Sequence, residues 1–350
     1  MTKKSHAATR TLVTIAIGFT GAALATGTGL PAGALLGSSL AAFLASCFNV
    51  SGTIPPSLRI VAFAIIGCSL GSGLTKNFVS QAMHWPLSLG ILTISVLVIM
   101  LIGGWFLSRF FNLSPETAIL STSPGALAYT LSITADGVGD ARSIVVIQSI
   151  RVMGLIVVLP LLLGYFCTNE PRGGTGENVV ATMSIAGFVV LFVATLGAGR
   201  WLELLKLPSA YLLTGTMISA VAHVGELVSG RPPALILFIG FALTGTAVGS
   251  RFSRISLGEM RRLLKVSLIV TIGSSSIAAL FAYITSSILS LSFAQVFVAY
   301  APGGIEAMAA MALSLGYDPA FVAGHHLFRL GLLFVLIPVL LKILGTRLQT

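Results

Sequence analysis

The sequence predicts an all-α integral membrane protein made of two inverted repeats, each with about five transmembrane helices plus one Pro-Gly-interrupted segment, re-entrant or broken. Three observations lead there. Of 350 residues, 55% are hydrophobic and only 9% charged, against roughly 25% charged in a soluble domain. The second half of the chain repeats rare residues of the first at a constant offset. And Lys and Arg fall on one side of a membrane only if each half crosses an odd number of times.

The composition excludes whole classes of function. A soluble fold of this size cannot hide so much apolar surface, because over half of any folded surface still faces water. A free enzyme of the cytosol and a soluble DNA-binding regulator are therefore set aside. The net charge of +10 reflects loops retained on the cytoplasmic side rather than a nucleic-acid surface, since no long polar run of basic residues occurs. Cys47, Cys68 and Cys167 are odd in number and unpatterned, so neither a disulfide framework nor a CxxC site follows.

The N-terminus imitates a secretory signal, with Lys3, Lys4 and Arg10 ahead of the apolar run from Leu12 to Ala25. We read it as the first transmembrane helix, because the second half carries a matching one. Six apolar stretches follow one another in each half, at 11–29, 31–48, 57–74, 86–107, 116–135 and 143–166, then at 179–197, 208–224, 232–250, 263–285, 293–314 and 320–341. A full span needs about 20 apolar residues, so several are comfortable and a few are short. The polar, Gly-rich segment 167–178 links a first repeat, 1–166, to a second, 179–350.

The repeat is legible in residues that chance does not align. Leu30-Pro31 returns as Leu207-Pro208 and Pro55-Pro56 as Pro232-Pro233. Further on, Pro124-Gly125 pairs with Pro302-Gly303, Asp140 with Asp318, Arg151 with Arg329 and Pro160 with Pro338. The fifth stretch of each half is broken by its Pro-Gly pair, since Pro removes a backbone donor and Gly weakens a helix.

Charge counting then sets the topology. If all twelve stretches cross, nine basic residues lie on each side of the membrane and two within helices. If the Pro-Gly stretches re-enter, the inside collects Lys3, Lys4, Arg10, Arg59, Arg109, Arg142, Arg200, Lys206, Arg251, Arg254, Arg261, Arg262, Lys265, Lys342 and Arg347, leaving only Lys76, Arg172 and Arg231 outside. Fifteen against three obeys the positive-inside rule. Both termini are then cytoplasmic and the halves are inverted, an arrangement found in secondary transporters.

The residues that could bind a solute cluster at the breaks. A helix restarting after Pro124-Gly125 or Pro302-Gly303-Gly304 offers free N–H groups and a positive dipole end, which suits an anion. The alternative is a plain Pro kink. Arg151 and Arg329 each lie eleven residues beyond an N-cap-like Asp140 or Asp318, about 16 Å along a helix and so near mid-membrane. An arginine there is costly unless paired or hydrated. It binds solute, or ties down the carbonyls of the neighbouring broken helix, or does both. Glu306 is the carboxylate expected nearby, as a proton carrier, a partner of Arg329 or a cap-like residue. Two arginines against one glutamate leave one positive charge, which favours an anionic solute. Gln148 and His326 occupy equivalent positions one turn before the arginines and are expected to hydrogen-bond in the same pocket. The adjacent His325 and His326 face different ways, so no metal site, cofactor or catalytic group is read.

The motifs Ser123-Pro124-Gly125 through Gln148-Ser149-Ile150-Arg151 and Pro302-Gly303-Gly304-Ile305-Glu306 through His326-Leu327-Phe328-Arg329 resemble those of the AbrB-type duplicated membrane proteins of bacteria, over nearly the whole chain. The first half departs from the family pattern at Tyr129 and Thr130, so a two-carboxylate site does not follow. The family's labels, ammonia monooxygenase and AbrB family regulator, imply different functions, and its membership implies kinship with inverted-repeat carriers. The expectation is a multi-pass protein of the bacterial inner membrane, not an enzyme. Its partners would be the lipid bilayer and a small anionic solute, with no direct nucleic-acid contact. A homo-oligomer is compatible with this. The alternatives are a membrane sensor that alters gene expression without net flux, and a membrane ammonia monooxygenase.

Overall fold

The computed structural model describes residues 2–73, 83, 85–135, 137–166, 182–204 and 209–344. The connector 167–178 and the charges of Lys76, Arg172, Lys206 and Arg347 lie outside them, as does Cys167. Among the described residues the chain is helical, with one isolated bridge between Thr182 and Arg231. The helices are α1 (Thr2–Gly27), α2 (Gly33–Cys47), α3 (Pro56–Gly71), α4 (Trp85–Phe111), α5 (Pro115–Thr122), α6 (Leu127–Ala135) and α7 (Ala141–Phe166), then α8 (Ile185–Leu204), α9 (Ala210–Val224), α10 (Ala234–Gly249), α11 (Leu257–Leu289), α12 (Phe293–Tyr300), α13 (Ile305–Leu315) and α14 (Pro319–Ile343).

Among the described residues seven segments are long and apolar enough to cross a bilayer by length and composition, beginning with Ala8–Gly27 and counting α10 together with the 3₁₀ turn after it as Ala234–Arg254. Large apolar side chains stay outward along them, including Trp105, Tyr165 and Trp201. A soluble monomer does not expose apolar surface on this scale. The chain is a multi-pass membrane protein.

Local geometry recurs at the offsets that the sequence repeats. Ala32 and Ser209, before α2 and α9, are both left-handed, with φ/ψ of 53°/33° and 54°/35°. Pro55 and Pro233 precede α3 and α10 with φ/ψ of −57°/147° and −52°/142°, where a proline costs no helical hydrogen bond. Ser114 and Ser292 cap α5 and α12 by accepting from the Thr117 and Gln295 backbone N–H groups, each at 3.3 Å. Pro160 and Pro338 sit inside α7 and α14. Asp140 accepts from the Arg142 and Ser143 N–H groups, and Asp318 from those of Ala320 and Phe321, so both carboxylates cap helix starts.

The chain forms two compact units. The first comprises 1–83, 156–254 and 306–321. In it α2 packs on α10 and α3 on α9, through reciprocal close contacts. A Cβ on Gly67 would stand 2.5 Å from the Leu212 carbonyl oxygen, and one on Gly71 would overlap that of Thr216. The counterparts Gly245 and Gly249 meet the carbonyls of Leu35 and Ser39 in the same way. Small residues let these backbones touch where no hydrophobic force separates protein from lipid.

The second unit comprises 84–155, 255–305 and 322–350. Here α4 packs on α5 and on the long α11, and α11 packs on α12. Helix α11 opens with a capping box, in which Ser256 Oγ accepts from Glu259 N–H while Glu259 Oε2 accepts from the Ser256 N–H and hydroxyl. Both helix breaks and both buried arginines fall in this unit.

Candidate functional site

Helix α5 ends at Thr122, where Ser123 turns extended with φ −56° and ψ 123°. Pro124 cannot continue the helix, and Gly125 takes φ +81°, a conformation that side chains resist. The chain restarts as α6 at Leu127. Helix α12 ends at Tyr300 in the same fashion, with Ala301 at φ −51° and ψ 135°. Its break, Pro302-Gly303-Gly304, is tightened by a hydrogen bond from Gly303 N–H to the Ala301 carbonyl at 2.7 Å. Pro124, Pro302 and Gly303 are buried, and Gly125 and Gly304 half-buried.

The two breaks touch. A Cβ on Gly125 would lie 2.7 Å from the Gly303 carbonyl oxygen and 2.8 Å from Arg329 Nη2. Only a glycine, with its bare backbone and tolerance of positive φ, fits there.

Each break leaves the last carbonyls of its first half-helix without helical partners, and an arginine satisfies them. From α7, Arg151 Nη1 donates to the Ser121 and Thr122 carbonyls at 3.3 and 3.2 Å, and Nη2 to that of Ser123 at 2.8 Å. From α14, Arg329 Nη1 donates to Tyr300 and Ala301 at 3.4 and 2.7 Å, and Nη2 to Gly303 at 2.7 Å. The positive guanidinium also meets the negative end of each helix dipole. Gln148 Nε2 donates to the Leu120 carbonyl at 2.8 Å, and His326 Nε2 to that of Val298 at 3.0 Å. His326 Nδ1 accepts from Arg329 Nη2, so its proton must sit on Nε2 and the ring is neutral.

Arg151 and Arg329 are fully buried, and among the described residues neither forms an ion pair. The Nε–H of each has no hydrogen-bond partner there. Two unbalanced cations with one unused donor apiece therefore stand beside a junction of two helix breaks.

Glu306 belongs to the first unit. Its Oε1 accepts from the Ser209 hydroxyl at 2.6 Å. Ser209 carried no signal in the sequence, because the two residues lie far apart along the chain. Also missed was a buried polar group around Tyr300, whose hydroxyl donates to the Ser88 carbonyl and lies 3.0 Å from Thr285 Oγ1. Ser88 Oγ in turn lies 2.8 Å from His325 Nε2. His325 and His326 thus serve different partners, and no cluster of three or more His, Cys, Asp or Glu suited to a metal occurs among the described residues.

The sequence is similar to two curated bacterial proteins. One is "Putative regulator AbrB" of Escherichia coli (strain K12), 26% identical over 324 residues and 91% of either chain. The other is "Uncharacterized protein YhjN" of Bacillus subtilis (strain 168), 25% identical over 295 residues, which are 80% of this chain and 77% of the relative. No solved structure matches. The family described as "Transition state regulatory protein AbrB" matches residues 34–345, and the chain belongs to that family.

Proposed function

We propose that this protein is a secondary carrier of the inner membrane that binds a small anionic solute where its two helix breaks meet. The observation that carries this reading is the pair Arg151 and Arg329, buried and, among the described residues, without a carboxylate partner. A cation at membrane depth costs several kcal/mol unless something offsets it. Carbonyls offset part of that cost here, and an anion would offset more. The unused Nε–H groups would reach its oxygens, and the restarts after Pro124-Gly125 and Pro302-Gly303-Gly304 would add backbone N–H groups. Gln148 and His326 would position the same carbonyl ends, while Glu306 would open the helix that leaves the second break.

The inverted-repeat topology belongs to this reading. Recurring cap geometry at offsets of 177 and 178, reciprocal glycine contacts and the fifteen-to-three charge division all favour it. Cytoplasmic termini and five crossings per half, with non-crossing breaks, complete the topology.

The test is uptake of labelled acetate, succinate and phosphate into liposomes holding the purified protein, beside thermal stabilisation by the same anions. Saturable uptake, reduced in Arg329→Gln, supports the carrier. The Escherichia coli relative is named a regulator, and the second reading that we draw from this is a membrane sensor. Saturable stabilisation without uptake would move the conclusion there, and a lack of both would contradict an anion site for these three chemistries.

A further inference from the structure

Beside the first break, the second unit carries a cleft that the solute site does not use. It encloses about 220 Å³ between α4, α11 and the end of α5, with Ile99, Ile102 and Phe106 on one wall and Ile269 and Ile277 on the other. That is smaller than the roughly 300–1,000 Å³ of a pocket for a drug-sized ligand. The hydroxyls in its lining, Thr122 and Ser274, donate to carbonyls of their own helices, so an occupant meets hydrocarbon. Ile102 and Gly273 are exposed, and a Cβ on Gly273 would meet nothing within 4 Å. The cleft therefore opens outward, along two helices long and apolar enough to cross a bilayer.

Both walls lead to basic side chains at one end. Leu107 packs in one cluster with Val266 and Val270, so the last turn of α4 lies beside the first turns of α11. Ile102, Phe106 and Arg109 are spaced to share one face of α4, and Arg262, Lys265, Ile269 and Gly273 one face of α11. Arg109, Arg262 and Lys265 are exposed and form no ion pair among the described residues. The carboxylates at this end are Glu116, Asp140 and Glu259. Asp140 caps α7, whereas Glu259 lies 3.6 Å from Arg142 and closes the capping box of α11. Arg109, Arg142, Arg261, Arg262 and Lys265 outnumber them.

We propose that this cleft binds one anionic phospholipid, with an acyl chain between α4 and α11 and the headgroup phosphate on Arg109, Arg262 and Lys265. The slot runs from Leu107 at the basic end to Ile99, about 12 Å along α4, as an acyl chain runs inward from its headgroup. An apolar slot alone would take any lipid. The basic rim adds the preference for a negative headgroup, because each Lys or Arg near a membrane surface attracts anionic lipid. Thr122 lines the slot, and its carbonyl accepts from Arg151 at 3.2 Å, so the bound chain abuts the first break. The site stands on the geometry of the second unit and requires no transport.

Native mass spectrometry of the purified full chain tests it, after incubation with equal amounts of phosphatidylglycerol and phosphatidylcholine of identical acyl chains. One phosphatidylglycerol should be retained per chain, with a preference of roughly fivefold or more, as about 1 kcal/mol per basic residue implies. The preference should fall to parity in Arg109→Gln/Arg262→Gln/Lys265→Gln. Gly273→Phe, which fills the slot, should lose retention of both lipids. No retention or equal retention in the wild type would overturn the proposal, as would a preference that survives the triple substitution or undiminished retention in Gly273→Phe. A lipid-free dimer would also overturn it, by assigning the cleft to a second copy of the chain. Should Gly273→Phe fail to fold, a phosphatidylglycerol with a photoactivatable acyl chain decides in the wild type. Adducts within 99–107 or 269–277 support the site, and adducts only elsewhere overturn it.

Discussion

The Gly303 carbonyl oxygen lies 2.7 Å from the point where a Cβ on Gly125 would be. Two backbone breaks, one from each half of the chain, are therefore in contact, and Arg329 is hydrogen-bonded to one while nearly touching the other. Gly125→Ala would force a side chain into that contact at φ +81°. It is expected to cost ~2–4 kcal/mol from left-handed strain and overpacking. Gly331→Ala is the control, because nothing lies within 4 Å of its added Cβ. It should leave stability unchanged or raise it slightly. Thermal unfolding in mild detergent distinguishes the two.

Arg151→Gln and Arg329→Gln should each destabilise the protein by about 2 kcal/mol or more, because each strands several buried carbonyls. Lysine is not expected to restore either site, since a point-like ammonium cannot span three carbonyls as the planar fork does. Melting temperatures of the four variants check this. A lysine variant as stable as wild type would show that the positive charge alone suffices.

Gly67→Ala and Gly245→Ala should lower stability by similar amounts, since each meets the backbone of the opposite repeat at an equivalent residue. Gly90→Ala, with open space around it, should not. A large disparity between Gly67→Ala and Gly245→Ala in the same melting assay would mean that the reciprocal contacts carry unequal weight.

Two loop carboxylates should respond oppositely to pH. The Ser143 hydroxyl chiefly holds Asp140 below its ordinary range, whereas burial pushes Asp318 up despite its backbone hydrogen bonds. A depressed carboxylate stabilises the fold above its unfolded value, about 3.9, and loses that contribution as pH falls through its folded value. A raised one contributes below about 3.9 and loses its contribution as pH rises through its folded value. The advantage of wild type over Asp140→Asn should therefore shrink in acid. Asp318→Asn should instead gain on wild type as pH rises from about 3.9 through the raised value. Melting curves across this range test both signs.

The sequence made some of these features legible and hid others, for physical reasons. Pro, Gly, Asp and Arg are conspicuous in an apolar chain, so both breaks, Arg151, Arg329 and the Asp140 and Asp318 caps could be read directly. The carbonyl partners of the arginines could be framed only as one option, because binding solute and tying down a helix end demand the same residue at the same depth. The pairing of Ser209 with Glu306 spans 97 positions and has no periodic signature. The division into two units was hidden as well. In a membrane, the lipid-facing and the packed faces of a helix are both apolar, so hydrophobic pattern does not report which helices meet.

The opposed orientation of the two halves underlies the whole reading, and the sidedness of the connector tests it most directly. A single cysteine at Thr175, with Cys47, Cys68 and Cys167 replaced, should react with a membrane-impermeant maleimide added to intact cells. Labelling from outside means an odd number of crossings before the connector, as inverted halves require. Labelling only after the membrane is opened would mean an even number. It would contradict the inverted topology and remove its support from the proposed carrier.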